Sequence, residues 1–316
     1  MRKFIWKDTI KRNIFVLRFA GLWPEGVEGY KLNYYTIYSI LVNLFMNGNN
    51  VFQTAYICFI YTDLQALTAI FFVLVTDWLA TIKIICYINN IRILQHLILD
   101  LERTEFQPRN DCQLHLVLPT LKTWKIVYEA FVAVTVTAML LFCLIPLVDG
   151  AFKEFRLPFW AWYPYETKIS PNYELTYIYQ VVSTAMLAAT NLNMDTLMAA
   201  LMMYVAIQCD FLSDNVKHVK NNEDSQFVNE FEYHVKHHQM ILRFACNTNK
   251  FFNGIVLGQF FTSAAALALA MFQLTLVVPM SSEFISLLFC QFDDSTNFFV
   301  LLVWQRSRNE GKFCCY

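Results

Sequence analysis

Charged residues are scarce in this chain. They make up 16% of its 316 residues, whereas hydrophobic residues make up 57%. A soluble domain carries about a quarter charged residues, so this composition excludes a soluble protein and indicates that much of the chain faces lipid. The net charge of −1 also excludes a nucleic-acid partner, because nucleic acid selects proteins with a clustered basic face.

Several short signals are also missing. Residues 1–18 are basic and amphipathic and lack the apolar core of a cleavable signal peptide, so the first span is expected to serve as its own insertion signal. The nine cysteines all lie outside residues 151–176, which excludes a disulfide framework in that segment. No phosphate-binding glycine loop, G-x-S-x-G elbow or H-E-x-x-H motif occurs. We therefore expect no enzymatic activity, no cofactor and no metal site.

Apolar segments long enough to cross a bilayer are present instead, since about 20 residues span its hydrocarbon. They predict an all-α, polytopic membrane helical bundle with six readable spans. The spans lie near Asn33–Phe59, Leu64–Ile88, Ile126–Val148, Tyr177–Ile207, Phe251–Val278 and Glu283–Trp304. The sixth is the poorest, because Asp293 and Asp294 interrupt it and each charge is costly near a helix centre.

The distribution of Lys and Arg predicts the orientation. Of the 24 basic residues, 21 lie in the N-terminal arm, the two long connections and the C-terminal tail, and the other three (Lys153, Arg156 and Lys168) lie in or beside segment 151–176. Cytoplasmic loops carry the excess of basic residues. The N-terminus and the connection 209–250 are therefore expected in the cytoplasm, and segment 151–176 outside. Apolar residues at helical spacing in 209–250 predict an inner helical bundle suited to subunit packing.

The outer segment Leu157–Gln180 has an unusual composition, with three prolines, two tryptophans and several tyrosines. Such aromatics settle at a membrane–water boundary, and proline stops the flanking helices from continuing. The segment is expected to form an ordered cap on the outer surface of the protein.

Together with two other groups of residues, this segment resembles the insect odorant receptors. Its matching residues are Leu157-Pro158-Phe159, Trp162, Pro164, Ser170-Pro171, Tyr173-Glu174 and Gln180, followed by Met194-Asp195-Thr196-Leu197. The second group is His234-Val235-Lys236-His237-His238-Gln239 with Ile241-Leu242, Gln259-Phe260 and Ser263, and the third is Lys83 with Leu121-Lys122-Thr123-Trp124.

The resemblance implies a subunit of an odorant-gated cation channel. Its partners would be a small volatile odorant, a shared co-receptor subunit and membrane lipid, and it would lie in the plasma membrane of olfactory sensory neurons. The family has seven spans, of which the last lines the pore. Here the sequence departs from the family after about residue 289, so we expect a C-terminus that is truncated or altered. The alternatives are a gustatory receptor of the same superfamily, a non-conducting truncated receptor fragment and, least favoured, a transporter.

A volatile ligand needs an apolar pocket with few polar groups. In this topology the outer halves of the second, third and fourth spans supply the candidates, and the resemblance points to the same region. The predicted ligand-binding residues are Ile70, Phe71, Phe72, Leu74, Thr135, Ala138, Met139, Phe142, Tyr177, Val181 and Thr184, with Ala69, Val134 and Tyr179 beside them.

Polar residues within the helices have structural interpretations as well. Asp77 is expected to form a buried hydrogen bond. Lys83 is expected to snorkel to the inner interface. Asp195 is expected to contact a neighbouring helix or to cap a helix end. His234, His237 and His238 have the spacing of metal ligands. A solvated helix that packs against a partner is the favoured interpretation for them.

Overall fold

The computed structural model describes residues 4–26, 29–62, 64–148, 151–218 and 224–276. These residues form six α-helices: α1 (Lys7–Phe19), α2 (Tyr34–Ile60), α3 (Leu64–Asp100), α4 (Asp111–Val148), α5 (Asn172–Lys217) and α6 (Asp224–Leu276). Short 3₁₀ helices at Thr104–Phe106 and Ala151–Glu154 lie in the connections. The described ranges contain no β-strand, and the predicted all-α class is confirmed.

Four helical stretches within the described residues are long and apolar enough to cross a membrane: Val73–Asp100, Asp111–Leu141, Asn172–Lys217 and Phe227–Leu269. They overlap the second to fifth predicted spans, although the third and fifth begin 15 and 24 residues earlier than predicted. The first predicted span forms α2, which carries Asn43, Asn47, Asn49, Asn50 and Gln53 and is not among the four. The last predicted span lies outside the described residues.

Helix α5 is the centre of the bundle. Every residue from 192 to 209 is buried, although the stretch includes Asn193, Asp195 and Gln208. A helix that is buried on all faces can carry polar side chains only where neighbouring helices satisfy them. The hydrogen-bond partners of the polar side chains of α5 therefore also show the directions of the neighbouring helices.

The hydrogen bonds to α5 give the direction of each neighbour. From α4, Gln113 donates to Asp214 (3.1 Å) and Tyr128 donates to Asn193 (3.0 Å), so α4 is antiparallel to α5. On α3, Lys83 contacts Asp195, and the carbonyl of Phe106, just beyond α3, accepts from Gln208 (3.0 Å). Helices α3 and α5 are therefore parallel. The start of α3, the end of α4 and the start of α5 lie at the same end of the bundle.

Helix α1 is amphipathic and packs along α5. Ile10, Asn13 and Leu17 are buried, while Phe15 and Phe19 on the opposite face are exposed. Asn13 donates to Thr196 Oγ1 (2.6 Å), and Tyr204 donates to the Trp6 carbonyl (3.2 Å). These contacts anchor the start and the middle of α1 to α5.

The connection 209–250 is helical over its described residues, in agreement with the predicted periodicity: 209–217 belong to α5 and 224–250 to α6. Phe211, Leu212 and Ile241 are buried, and Phe227, Phe231, Val235 and Leu242 are exposed. The exposed residues leave apolar surface on α6.

Candidate functional site

Segment 155–171 lies over the end of the bundle as a lid. We use the word lid for these residues, which connect the 3₁₀ helix after α4 to the start of α5. Tyr173 donates to the Arg156 carbonyl (2.9 Å), and Tyr165 shares a hydrogen bond with Thr176 (2.8 Å). The lid is thus hydrogen-bonded to the first turns of α5, and the predicted ordered cap is observed.

Gln180 fixes the middle of the lid. Its Oε1 accepts from the Phe159 N–H (3.0 Å), and its Nε2 donates to the Phe159 carbonyl (3.1 Å) and to the Tyr163 hydroxyl (3.1 Å). Gln180 has no exposed surface. A buried amide that satisfies three polar groups at once specifies one backbone position, because losing it would leave those groups unpaired.

Tyr163 extends this contact to α2. Its hydroxyl donates to Asn49 Oδ1 (3.3 Å) while it accepts from Gln180. Burial raises the pKa of the Tyr163 phenol above its usual value, with the Gln180 hydrogen bond opposing that shift. The phenol therefore remains a neutral donor to Asn49 at physiological pH.

Aromatic rings and a backbone hydrogen bond complete the contact between the lid and α2. Phe52 packs on Tyr163 with ring centroids 4.7 Å apart, and Phe59 stacks on Trp162 at 5.8 Å. The Trp162 N–H donates to the Phe52 carbonyl (3.1 Å). Trp160 and Trp162 keep exposed faces, which is the arrangement of amphipathic rings at a membrane boundary.

A buried ion pair lies deeper in the bundle. The Lys83 ammonium donates to both Asp195 carboxylate oxygens (2.9 and 3.0 Å) and to Asn191 Oδ1 (2.8 Å), and Lys83 is 1% exposed. The expectation that Lys83 snorkels to the interface is wrong, because Asp195 and Asn191 supply acceptors inside the bundle. The predicted interhelical role of Asp195 is confirmed.

Asp77 lies six residues before Lys83 on α3, or about 9 Å along the helix. It is half-buried, and its backbone carbonyl accepts from Asn50 (3.4 Å) and Thr81 (2.9 Å). Thr81 also donates to Asn47 Oδ1 (2.7 Å). Two amide side chains of α2, those of Asn47 and Asn50, thus hydrogen-bond to α3 and hold the two helices together.

The predicted ligand-binding residues lie near the start of α3, the end of α4 and the start of α5. Ile70 and Leu74 are buried, Phe71 is exposed, and the side chains of Phe72 and Phe142 lie outside the described part of the structure. The half-buried members are Thr135, Ala138, Met139, Tyr177, Val181 and Thr184. Because α3, α4 and α5 are oriented as described, all eleven positions lie at the end of the bundle that carries the lid.

A cleft of about 820 Å³ lies at the other end, between α1 and the first half of α4. Ile5, Thr9, Leu118 and Trp124 contribute to its walls, and Arg12, Lys122 and Lys125 to its rim. None of the eleven predicted ligand residues lines it. The sequence gives no signal for this cleft, because it arises from the way α1 packs beside α4.

The histidines of α6 are packed within the chain. His234 and His237 are buried, and His237 Nε2 lies 3.1 Å from Gln208 Oε1. Phe106 covers the His237 ring at 5.8 Å. The expectation of a solvated helix face is therefore wrong for these two residues, because α5 and the connection after α3 cover them. Within the described residues, no group of three or more possible metal ligands occurs.

The fold and the site define a class of protein. Long apolar helices, a polar layer buried among them and an aromatic lid at one end describe a multi-pass helical membrane protein.

The chain belongs to the 7tm odorant receptor family: the sequence profile described as 7tm Odorant receptor matches residues 63–292. It is therefore a receptor and not an enzyme. No curated protein matches the chain.

Solved structures share the fold. The insect olfactory receptor OR5 from Machilis hrabei superposes with a TM-score of 0.84 at 20% sequence identity, over 98% of this chain and 82% of that one. The structure of the same receptor in complex with eugenol gives the same values.

Proposed function

We propose that this chain is an odorant-receptor subunit that binds a small volatile odorant beneath the lid. With a shared co-receptor subunit it would gate a cation channel in the plasma membrane of olfactory sensory neurons. The ligand-binding residues proposed are the eleven predicted from the sequence. The complex of OR5 with eugenol supports a small molecule as the ligand class.

The observation that carries this proposal is the common depth of the predicted residues on three helices. Ile70 precedes Lys83 by 13 residues and Val181 precedes its partner Asp195 by 14, which is about 20 Å along each helix. Met139 follows Tyr128 by 11 residues, or about 17 Å beyond the Tyr128–Asn193 contact. Three helices thus bring apolar side chains to one level, at the lid end.

The buried layer formed by Lys83, Asp195 and Tyr128 would then be the floor of that region, and the lid its roof. An apolar ligand gains free energy from leaving water, and a lid held in one position excludes water from the space below it. Odorant binding would bias a closed–open equilibrium by the difference in its affinity for the two states.

The proposed orientation places the N-terminus and connection 209–250 in the cytoplasm and the lid outside. The basic residues support it, because 20 of 24 lie in segments assigned to the inner side once Lys83, which is buried in the bundle, is left out. Assembly would use the exposed apolar residues of α6, such as Phe227 and Phe231, whose rings stack at 6.2 Å.

Co-expression with a co-receptor and recording of odorant-evoked current tests the proposal. Adjacent residues on one helix provide matched variants: Val181 is half-buried and Val182 is exposed, and Met139 and Leu140 form a second such pair. Val181→Trp and Met139→Trp should fill the pocket and raise the half-maximal odorant concentration by about tenfold or more, since each 1.4 kcal/mol of lost binding is tenfold. Val182→Trp and Leu140→Trp should leave it unchanged.

Surface labelling of every variant separates loss of binding from loss of expression. Equal loss of response in the inward and outward variants would contradict the pocket. A wild-type chain that reaches the surface with its co-receptor but gives no current across a broad odorant panel would contradict the channel-subunit function.

A further inference from the structure

The cleft between α1 and α4 is a built cavity outside the proposed odorant site. Its walls are held by contacts that do not depend on a ligand: the Phe4 N–H donates to Gln107 Oε1 (2.8 Å), and Lys7 pairs with Glu102 (2.8 Å). Its volume of about 820 Å³ falls within the range of about 300–1,000 Å³ usual for ligand sites. The charges on its lining show what it can hold.

The cleft is lined by charges of both signs. Its acidic residues, Asp8 and Asp111, lie in the first turns of α1 and α4, where the helix dipole favours negative charge. Lys122 and Lys125 follow Asp111 by 11 and 14 residues, or about 17 and 21 Å along α4. The start of α4 is therefore acidic and its Lys122–Lys125 stretch is basic, while Asp8 lies one turn from Arg12 on α1.

The basic side chains of the cleft are available to bind a ligand. Arg12 pairs with Glu129 (3.1 Å), but that pair is half-exposed. Lys122 and Lys125 are exposed, and neither forms an ion pair with any residue that the structure describes. Two lysines one helical turn apart beside an arginine form a cationic rim that favours an anion.

The same rim lies at the expected edge of the membrane. The third predicted span begins at Ile126, directly after Lys125, and Ile126 is exposed. Trp124 and Tyr128, on either side of this position, are buried in the bundle, so the exposed Lys122, Lys125 and Ile126 face away from it. The cationic side chains are thus directly followed along α4 by an exposed apolar surface. This arrangement matches the chemistry of a lipid, in which an anionic headgroup is joined to acyl chains.

We propose that this rim binds an anionic phospholipid of the cytoplasmic leaflet. Its phosphate would lie against Lys122 and Lys125, with Arg12 beside them, and its acyl chains would run along α4 beyond Ile126. Basic clusters at the cytoplasmic side of membrane helices attract such headgroups. The assignment to the cytoplasmic leaflet rests on the proposed orientation, and nothing in the binding itself depends on odorant gating.

Photolabelling of the purified full-length chain tests this site. The protein is reconstituted in nanodiscs of phosphatidylcholine that contain a trace of photoactivatable phosphatidylserine, or of photoactivatable phosphatidylcholine as the neutral probe. Labelled peptides are quantified by mass spectrometry. We expect phosphatidylserine to label residues 118–130, and Lys122→Gln with Lys125→Gln to lower that labelling by about tenfold. Lys122→Arg with Lys125→Arg should retain it.

Lys217→Gln with Lys250→Gln is the matched control, because it removes the same charge from exposed positions outside the cleft and should leave the labelling unchanged. Equal labelling by the neutral probe, or undiminished labelling in the double glutamine variant, would overturn the proposal. Nanodiscs expose both faces of the protein, and the readout needs no current. Failure here is therefore distinguishable from failure of the odorant-receptor function or of the orientation.

Discussion

Replacing Lys83 with methionine is expected to destabilise the bundle by about 3–5 kcal/mol. Methionine fills a similar volume without charge, so the substitution leaves the Asp195 carboxylate buried without its counter-charge. The wild-type ammonium contacts both carboxylate oxygens and Asn191 within 3.0 Å. The expected loss corresponds to roughly two to four orders of magnitude in the unfolding equilibrium.

The measurement is unfolding by sodium dodecyl sulfate in mixed detergent micelles, followed for Lys83→Met, Asp195→Asn and the double variant. Each single variant leaves one buried group unpaired, whereas the double variant removes both charges. Its loss should therefore fall short of the sum of the two by about 2 kcal/mol or more. Lys7→Met is the control, because the Lys7–Glu102 pair has side chains that are 40% and 32% exposed. We expect it to lose at most about 1 kcal/mol.

Two outcomes would refute this reasoning. A Lys83→Met protein as stable as the Lys7→Met protein would show that burial of the pair has no energetic consequence. Additive losses in the double variant would show that Lys83 and Asp195 stabilise the bundle independently and not as a pair.

Three further predictions concern the lid, the packing of α2 and the orientation. Gln180→Leu should speed amide hydrogen exchange at Phe159 by about tenfold or more, because each unpaired buried group costs about 1–3 kcal/mol. Exchange equal to that of the wild type would contradict the role of Gln180 in fixing the lid. A Cβ at Gly48 would lie 2.5 Å from the Tyr179 hydroxyl, so Gly48→Ala should destabilise the protein by about 1–2 kcal/mol. In a Tyr179→Phe background the same change should be neutral or stabilising, by up to about 1 kcal/mol, and an unchanged loss there would exclude that contact as the cause. A glycosylation acceptor inserted after Glu166, which is exposed, should be modified in cells while one inserted after Thr104 is not, and the reverse pattern would place the lid inside.

The sequence predicts helix positions well because span length and apolar composition are local properties. The predicted second to fifth spans all form long helices, and the prolines and aromatics of Leu157–Gln180 correctly indicate an ordered cap. The contact by which Gln180 holds the lid could not be predicted from the sequence. It forms only because the lid folds back onto α5, which brings the Phe159 backbone to a side chain 21 residues further along the chain.

The buried ion pair shows why side-chain partners are harder to predict. Counting the rise per residue places Lys83 and Asp195 near the same depth, but depth leaves the direction of each side chain open. Their contact spans 112 residues of sequence and depends on how α3 and α5 are rotated against each other. The cleft beside α1 has the same origin, since it exists only after two helices distant in sequence are packed.

The position of Asp195 also constrains how the chain is made. A carboxylate that enters hydrocarbon alone is costly, yet α5 must carry one to the middle of the bundle. Lys83 precedes it by 112 residues, so the cation is already synthesised when the carboxylate leaves the ribosome. We therefore expect biosynthetic insertion of α5 to depend on α3: Lys83→Met should lower the fraction of nascent chains that insert α5, measured with a glycosylation acceptor, and the inserted fraction supplies the protein for the unfolding experiment.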